Sequence, residues 1–286
     1  MENQKDHQVE AQVEEVENHK PFSFFSYSPS TTILNTDYFP DTMQFKTRIS
    51  KLVNEDVVIR GDKLSSLISS GKFSDSIFLL LSGRKPSSTE SVLFEKMLIS
   101  VIDHGMGTTS SMTARFIASG GNSLNVGVGG GILSIGDHHG GAIEKAMEQF
   151  YAWEQLGKEK ARGQIKEMIS GKKTIYGFGH KVYKDEDPRV LVLLKEMKKL
   201  NFKSKHLFLK EEVEKAFQET KGKKLPINID GFLALLLCDF GFDPLLGKGV
   251  FIIGRTPGLV AQTYEELKYE KPVRRVEEEE IELLKE

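Results

Sequence analysis

Four of the seven histidines lie among residues that favour chemistry over packing. They are His104 in Ile-Asp-His-Gly, the pair His138 and His139 before two glycines, and His180 in Gly-Phe-Gly-His. A histidine at a helix N-terminus feels the positive end of the helix dipole, which lowers its pKa and keeps the ring neutral. A neutral ring that donates a hydrogen bond would suit a developing enolate oxygen. The alternative is that His138 or His139 only caps the helix.

The segment before His180 suits contact with an anion. Gly177 and Gly179 flank an aromatic residue, and glycine lets the backbone approach a ligand and present free N–H groups. Nearby lysines and Arg189 add positive charge. Because a lone Gly-x-Gly is a weak signal, an ordinary turn is the alternative.

A carboxylate and a guanidinium each lie in an apolar setting. Asp230 precedes a wholly apolar segment, where loss of hydration raises a carboxyl pKa towards a value useful for acid–base catalysis. Helix N-capping is the other interpretation of Asp230. Arg255 lies in Phe-Ile-Ile-Gly-Arg-Thr-Pro-Gly and needs a bidentate carboxylate or phosphate, or a structural acid.

The elements that must position these residues are mainly helical. Ser87 and Glu90 form a capping box that opens a helix, and Asp187 caps another that begins at Pro188 and ends near Leu200. Apolar spacing predicts further helices at 74–81, from after His139 to Gly157, and at 211–220, 231–240 and 258–269. Strand signal is confined to 45–49 and 56–60, so we expect at most one small N-terminal hairpin.

Composition excludes several classes of partner. The net charge of −2 provides no basic field for nucleic acid or anionic lipid. The longest apolar runs, 77–81 and 231–238, fall short of the about 20 residues that a membrane span needs. The N-terminus is acidic, unlike a targeting peptide. We expect a soluble cytoplasmic protein without nucleic-acid or membrane partners.

Two other features are interpreted as structural. The single cysteine, Cys238, lies in an apolar run and is predicted to be inert core. The glycine-rich segment 127–131 lacks the pattern of a phosphate loop and predicts close helix packing. His206 lies in a lysine-rich stretch that we interpret as surface. No set of histidines and acids has the spacing of metal ligands, so no metal is expected.

Taken together and in this order, the motifs resemble the citrate-synthase superfamily over about residues 45–275. The matching blocks are Asp103-His-Gly, Thr113-Ala-Arg-Phe-Ile-Ala-Ser, His139-Gly-Gly-Ala, Gly177-Phe-Gly-His, Asp187-Pro-Arg, Asn228-Ile-Asp and Arg255. Within the superfamily, the short length and the segments 45–50 and 59–61 are more similar to citryl-CoA lyases, including the C-terminal module of ATP-citrate lyase.

The resemblance implies a mainly α fold with two helical domains. The large domain would comprise 41–150 and 247–275, and the small domain 151–246. Residues 1–40 would form an extension, with disorder expected in the first twenty residues, and 276–286 an acidic tail. The active site would lie between the domains and be completed by a second subunit, in a homodimer or homotetramer.

The resemblance also implies roles for individual residues. In cleavage of citryl-CoA, His180 would take the hydroxyl proton, His139 would stabilise the enolate of acetyl-CoA, and Asp230 would protonate its carbon. The substrate carboxylates of citrate or oxaloacetate would be held by His104, Arg189, Arg255, Lys271 and Arg274. CoA would lie along Thr174, Ile175, Tyr176, Gly177, Phe178 and Gly179, with Lys224 on its phosphates. No cofactor or metal is implied, because the CoA thioester is itself the substrate.

Two positions differ from the pattern of the lyases and leave alternatives open. Lys271 stands where the family offers an arginine from the neighbouring subunit, and Arg274 or Arg275 could replace it. His139 is synthase-like, since the ATP-citrate lyase module does not keep a histidine there. A citrate or 2-methylcitrate synthase and a non-catalytic CoA-binding subunit are therefore the alternatives to a lyase. A lyase without its own synthetase would also need a citryl-CoA synthetase partner, which residues 1–40 could recruit.

Overall fold

A computed structural model describes residues 45–180, 183 and 185–284 of the 286-residue chain. Thr47–Glu286 forms one compact unit. The predicted extension at 1–40 lies outside the described residues, and the division into large and small helical domains stays a prediction. None of the described helices is long and apolar enough to cross a lipid bilayer.

A small antiparallel sheet opens the described chain, with β1 at Ser50–Val53, β2 at Asp56–Ile59 and β3 at Asp62–Lys63 in the order β1-β2-β3. The predicted hairpin and its strand at 56–60 are confirmed. The strand predicted at 45–49 is wrong, because β1 begins at Ser50. Asn54 and Glu55 turn the chain with φ of 46° and 64°, which sets the register and places Ser50 opposite the end of β2.

Helices make up most of the rest, which confirms the predicted mainly α fold. Those described are α1 (Leu64–Ser70), α2 (Phe73–Ser82), α3 (Ser88–Ser100), α4 (Thr109–Ser119), α5 (Leu124–Leu133), α6 (Ala142–Leu156), α7 (Lys158–Ser170), α8 (Pro188–Lys199), α9 (Leu207–Lys221), α10 (Ile229–Asp239) and α11 (Leu246–Tyr269). A short 3-10 helix at Glu278–Glu280 lies in the exposed acidic tail.

Local capping signals located several helix ends correctly. The capping box at Ser87 is present, Asp187 caps α8 with Pro188 in its first turn, and Gly157 ends α6. The helix predicted at 74–81 begins at Phe73 with Lys72 as its N-cap, so Ser74, where the sequence suggested a cap, is a buried residue inside α2. Helix α11 begins at Leu246, well before the predicted start, because tertiary packing keeps its glycines and Pro257 helical.

The core is built around α10, in which every residue from Gly231 to Cys238 is buried. It packs against α6, whose buried face includes Met147, Phe150 and Trp153. Cys238 is buried as predicted, and burial raises the pKa of its thiol.

His206 contradicts the sequence interpretation of a surface residue, because it is only 1% exposed. Its Nδ1 lies 2.7 Å from Asp239 Oδ1, which places the ring beside the C-terminal end of α10. Burial lowers the pKa of His206, but the hydrogen bond and charge of Asp239 outweigh that effect and raise it overall. The lysines next to His206 in the sequence had indicated a surface position, although His206 forms a buried ion pair with Asp239.

The glycine-rich segment forms α5, and its small residues allow close approach to α4 and α11. A Cβ on Gly127 would lie 2.6 Å from Thr263 Cγ2, and one on Gly131 would lie 3.0 Å from the Ser110 carbonyl oxygen. The predicted close helix packing is confirmed.

Helix α11 also crosses the end of α3 closely. A Cβ on Gly258 would lie 2.1 Å from the backbone oxygen of Ile102, which cannot move as a flexible side chain can. This contact fixes the turn that leads to His104, so it connects the fold to the candidate site.

We predict that Gly258→Ala destabilises the protein by about 1–3 kcal/mol, because the added methyl group forces α11 away from Ile102. Gly249→Ala is the matched control in the same helix, where an added Cβ meets open space. Alanine there should leave stability unchanged or raise it by roughly 0.5–1 kcal/mol. Urea denaturation measures both, and equal stability of the two variants would contradict the packing argument.

Candidate active site

Arg255 provides a buried positive charge in the middle of α11. The residue is 2% exposed, and its Nε donates to the Val101 carbonyl oxygen at 2.7 Å. Its Nη1 is buried without a hydrogen-bond partner among the described residues. Burial lowers the pKa of Arg255, although the charge of Asp103 opposes this. Its bonded partner is therefore a backbone carbonyl and not a structural acid, which leaves a donor suited to a ligand carboxylate.

Asp187 holds two parts of the site together. Arg189 Nε and Nη2 donate to its two carboxylate oxygens at 2.9 and 2.7 Å, and the Ile229 N–H donates to Oδ2 at 3.1 Å. The Asp187 carboxylate is 1% exposed. Burial raises the pKa of Asp187, but the hydrogen bond and charge of Arg189 lower it further, so the net shift is downward. The start of α8 is thereby joined to the start of α10.

Asp230 lies in the first turn of α10, and the cap of that helix is Asn228, whose side chain accepts from the Gly231 N–H. The capping interpretation of Asp230 is therefore wrong. Burial raises the pKa of Asp230 to about 6, against the opposing charges of Arg189 and Arg255. The predicted desolvation of this carboxyl is confirmed, and it can gain or lose a proton near neutral pH.

The segment 174–180 is held against the start of α10 by backbone pairing. Gly179 N–H donates to the Pro226 oxygen at 2.8 Å, and Asn228 N–H donates to the Gly177 oxygen at 3.0 Å. Gly177 has a φ of +81°, and a Cβ there would lie 2.4 Å from Gly231 Cα. Only glycine permits both the conformation and the contact.

His180 follows this pairing at the edge of the cluster. Its Nδ1 accepts from the Tyr183 N–H at 3.1 Å, and the two rings stack with centroids 4.6 Å apart. In a neutral ring the proton therefore lies on Nε2. The His104 ring lies 6.4 Å from that of His180. Burial, followed by the charges of Arg189 and Arg255, lowers the pKa of His104.

His139 does not cap α6, because the N-cap of that helix is Gly141. Its Nε2 lies 2.8 Å from the Ser110 hydroxyl, and its ring packs edge-on against Phe251. The pKa of His139 is lowered, as predicted, but chiefly by burial and then by the charges of Arg255 and His104. If Ser110 donates to Nε2, the neutral ring carries its proton on Nδ1 and offers it to a ligand.

The predicted residues thus divide into two groups. In the first group, the charges of neighbouring members shift one another's pKa values. Its members are His104, His139, Arg189, Asp230 and Arg255, together with His180, whose ring lies beside that of His104.

The predicted cations outside this group lie elsewhere. Arg274 is bonded to Glu266 through Nε and Nη2 at 2.9 and 2.8 Å, so its side chain is already engaged. Lys271 is exposed. Lys224 lies 3.5 Å from Asp185, on the wall of a cavity of about 460 Å³ between α8 and α9. That cavity is lined by Asp187, but the clustered histidines, Asp230 and Arg255 do not line it.

Sequence reasoning missed three residues that shape the site. Asp187 was predicted to cap a helix and lay in the Asp-Pro-Arg block, but its bond to Arg189 was not predicted, although their spacing was a usable signal. No sequence signal pointed to Ser110 or Gln149, because their contacts join elements that are distant in sequence. Gln149 bonds the backbone of Thr174 and Tyr176 in the predicted CoA segment.

The family model of the citrate synthase C-terminal domain matches residues 70–276. The chain belongs to the citrate synthase family. It is 32% identical over 199 residues to citrate synthase of Heyndrickxia coagulans, covering 68% of this chain and 52% of that protein. It is 33% identical over 200 residues to citrate synthase 2 of Bacillus subtilis, with the same coverage. The chain therefore spans about half the length of the curated relatives it matches.

Solved structures of this family include a near full-length match. Citryl-CoA lyase from Hydrogenobacter thermophilus superposes with a TM-score of 0.81 at 43% identity, covering 85% of this chain and 95% of that one. ATP citrate lyase from Methanothrix soehngenii shares the fold, with a TM-score of 0.74 at 22% identity, covering 96% of this chain and 47% of that one.

The arrangement can bind carboxylates and move protons. Arg189 and Arg255 supply positive charge, Asp230 supplies an acid–base group with a pKa of about 6, and His139 supplies a neutral donor. Among residues 45–180, 183 and 185–284, no group of three or more histidines, cysteines or acids is placed to hold a metal ion.

We predict that Asp187→Asn lowers the free energy of unfolding at pH 7 by about 2–4 kcal/mol, because it removes the bidentate partner of Arg189. The folded pKa of Asp187 is lowered, so its contribution is present above the unfolded value and is lost as pH falls through the folded value. The difference from wild type should therefore shrink at acid pH.

Asp185→Asn is the control, because Asp185 is 83% exposed and only loosely paired with Lys224. It should change stability by less than about 0.5 kcal/mol. Chemical denaturation between pH 3 and 7 measures both variants. If Asp187→Asn protein were as stable as the control, Asp187 would not be what joins α8 to α10.

Proposed function

We propose that this protein is a citryl-CoA lyase that cleaves citryl-CoA to acetyl-CoA and oxaloacetate. The observation that carries the chemistry is Asp230, whose pKa is raised to about 6 beside Arg189 and Arg255. The lyase direction is supported by the 43% identity to the Hydrogenobacter citryl-CoA lyase, over 95% of that chain. Membership of the citrate synthase family by itself is compatible with either direction.

The proposed cleavage uses three proton-handling groups. His180 takes the proton of the tertiary hydroxyl, and the alkoxide electrons form the ketone of oxaloacetate as the carbon–carbon bond breaks. The bond electrons pass to the thioester and give the enolate of acetyl-CoA, whose oxygen accepts a hydrogen bond from His139. Asp230, in its protonated form, delivers a proton to the enolate carbon. Transfer of a proton from His180 to Asp230 through solvent resets the enzyme.

The binding groups are assigned by charge and position. His104, Arg189 and Arg255 hold the carboxylates, and the buried Nη1 of Arg255 supplies an unmet donor for one of them. CoA lies along residues 174–179, with Lys224 near its phosphates. Arg274 would have to leave Glu266 to reach a substrate, so Lys271 or Arg275 is the better candidate for the basic group near the C-terminus.

Condensation of acetyl-CoA with oxaloacetate is the second candidate. The bond from Tyr183 N–H to Nδ1 places the proton of a neutral His180 on Nε2, which is the form that donates to the oxaloacetate carbonyl. For cleavage, Nε2 must begin the turnover without a proton, so a neutral His180 must carry its proton on Nδ1 and give up the bond from the Tyr183 N–H. The presence of His139 also fits a synthase, as the sequence indicated.

Product analysis with purified protein and synthetic citryl-CoA tests the proposal. We expect acetyl-CoA and oxaloacetate, separated by chromatography and absent when Asp230→Asn protein is used. Citrate with free CoA would instead establish a synthase, since hydrolysis of the thioester drives that reaction forward. No turnover in either direction would favour a non-catalytic CoA-binding subunit.

The pH dependence of the rate should separate the two directions. Asp230 must be protonated for cleavage and ionised for condensation, and its pKa is about 6. We therefore expect kcat/KM for citryl-CoA cleavage to fall as pH rises through about 6, and that for condensation to rise. Asp230→Asn should lower kcat by roughly 10²–10⁴-fold and abolish this limb of the profile. A limb near pH 6 that persists in Asp230→Asn protein would assign it to another group.

We further propose that the protein is at least a homodimer that joins through α4, α5 and α11. These helices pack together and expose apolar side chains, and Leu133 is 88% exposed. The C-terminal segment bearing Lys271 lies against the same region, because the Val273 N–H donates to the Ser119 oxygen at 2.8 Å. Lys271 is thus placed beside the proposed interface, where it could reach a neighbouring site.

Leu133→Arg should convert the oligomer to a monomer and remove activity, because a buried unpaired charge opposes association and the site would lose the partner's contribution. Leu283→Arg is the control, since Leu283 is 94% exposed in the C-terminal tail. Light scattering after size-exclusion chromatography gives the mass of each. An unchanged mass for Leu133→Arg would exclude this face as the interface.

A further inference from the structure

Helix α6 makes a contact with the proposed CoA segment that the proposed reaction does not use. The Tyr176 N–H donates to Gln149 Oε1 at 3.1 Å, and Gln149 Nε2 donates to the Thr174 carbonyl oxygen at 3.1 Å. One side-chain amide thus bonds the backbone on both sides of Ile175, as a neighbouring strand would. Only one orientation of the amide satisfies both bonds, so the network itself fixes it.

A second side chain on the same face of α6 holds the same segment. Lys145 precedes Gln149 by one helical turn, and residues four apart share a helix face. Its Nζ lies 5.4 Å from the centroid of the Tyr176 ring and is also paired with Asp137. The backbone at 174–176 and the Tyr176 ring are therefore both positioned by α6.

The His180 end of the segment is held separately. It depends on the pairing of Gly177 and Gly179 with Pro226 and Asn228, including the bond from Asn228 Nδ2 to the Gly179 oxygen at 2.7 Å. Loss of the Gln149 bonds would release residues 174–176 without removing the contacts that place His180. Loss of the Gln149 bonds should therefore weaken CoA binding more than it slows the reaction.

We propose that Gln149 is a positioning residue that holds residues 174–176 in the conformation that binds the CoA thioester. The inference rests on the proposed function, because that function assigns CoA to this segment. A segment fixed before the ligand arrives does not have to be ordered during binding, so preorganisation increases affinity. Gln149 accordingly acts on the KM for the CoA thioester and leaves kcat nearly unchanged.

The test compares three variants of the full-length protein. Gln149→Met keeps the length of the side chain and removes both bonds, and Gln149→Glu keeps the acceptor for Tyr176 but removes the donor to Thr174. Glu148→Met is the matched control, because Glu148 is the exposed neighbour of Gln149 on α6. CoA itself is the binding probe, titrated by calorimetry, and steady-state kinetics gives KM and kcat.

We expect Gln149→Met to weaken CoA binding and raise KM by roughly tenfold, since two neutral hydrogen bonds are lost. Its kcat should change by less than about twofold, and Glu148→Met should match wild type in both. Gln149→Glu should approach wild-type affinity at acid pH, because a protonated carboxyl can both donate and accept. Taking each variant relative to wild type at the same pH removes effects shared by all forms, including titration of Asp230.

The outcomes separate this inference from the proposed function. If wild type binds CoA and Gln149→Met binds it equally well, Gln149 has no positioning role and the proposed function stands. Equal losses of kcat and affinity, or no pH-dependent recovery in Gln149→Glu, would also overturn the positioning role. If wild-type protein binds no CoA, the proposed function fails and this inference fails with it.

Discussion

The buried carboxylate of Asp187 is the interaction on which the candidate site depends. It is the cap of α8, the bidentate partner of Arg189 and the acceptor for the first N–H of α10. A buried carboxylate with those partners remains ionised, so it fixes where Arg189 lies. Since Asp230 follows Ile229 directly, the same group also sets the position of the proposed catalytic acid.

Charge balance around Asp230 follows from this arrangement. Burial disfavours the ionised form of Asp230, and the nearby negative charge of Asp187 adds to that effect. Arg189 and Arg255 oppose it, and the resulting pKa is about 6. The same two arginines help to keep His104 neutral, and Arg255 does so for His139. Positive charge therefore serves both to attract carboxylates and to hold neighbouring rings in their uncharged form.

Helix α6 relates the two ends of the proposed substrate. His139 lies just before its first turn, and Gln149 bonds the 174–176 segment two to three turns further along. A straight helix is a rigid spacer, so the position proposed for the enolate oxygen and the segment proposed for CoA are separated by a fixed length. Close backbone contact between Gly177 and Gly231 then brings that segment against α10 and its acid.

The sequence by itself determined the fold class and the capped helix ends, and it supplied most of the candidates for the site. Those signals are local, because a capping box, an Asp-Pro helix start or a Gly-Phe-Gly-His motif consists of residues close together in sequence. Tertiary structure decided the features that depend on distant contacts. It placed α11 as one continuous helix through Pro257, buried His206 among lysines against Asp239, engaged Arg274 with Glu266, and brought Gln149 to the Thr174 backbone. Hydrogen bonds and desolvation act between atoms near in space, and sequence order does not specify which distant groups will meet.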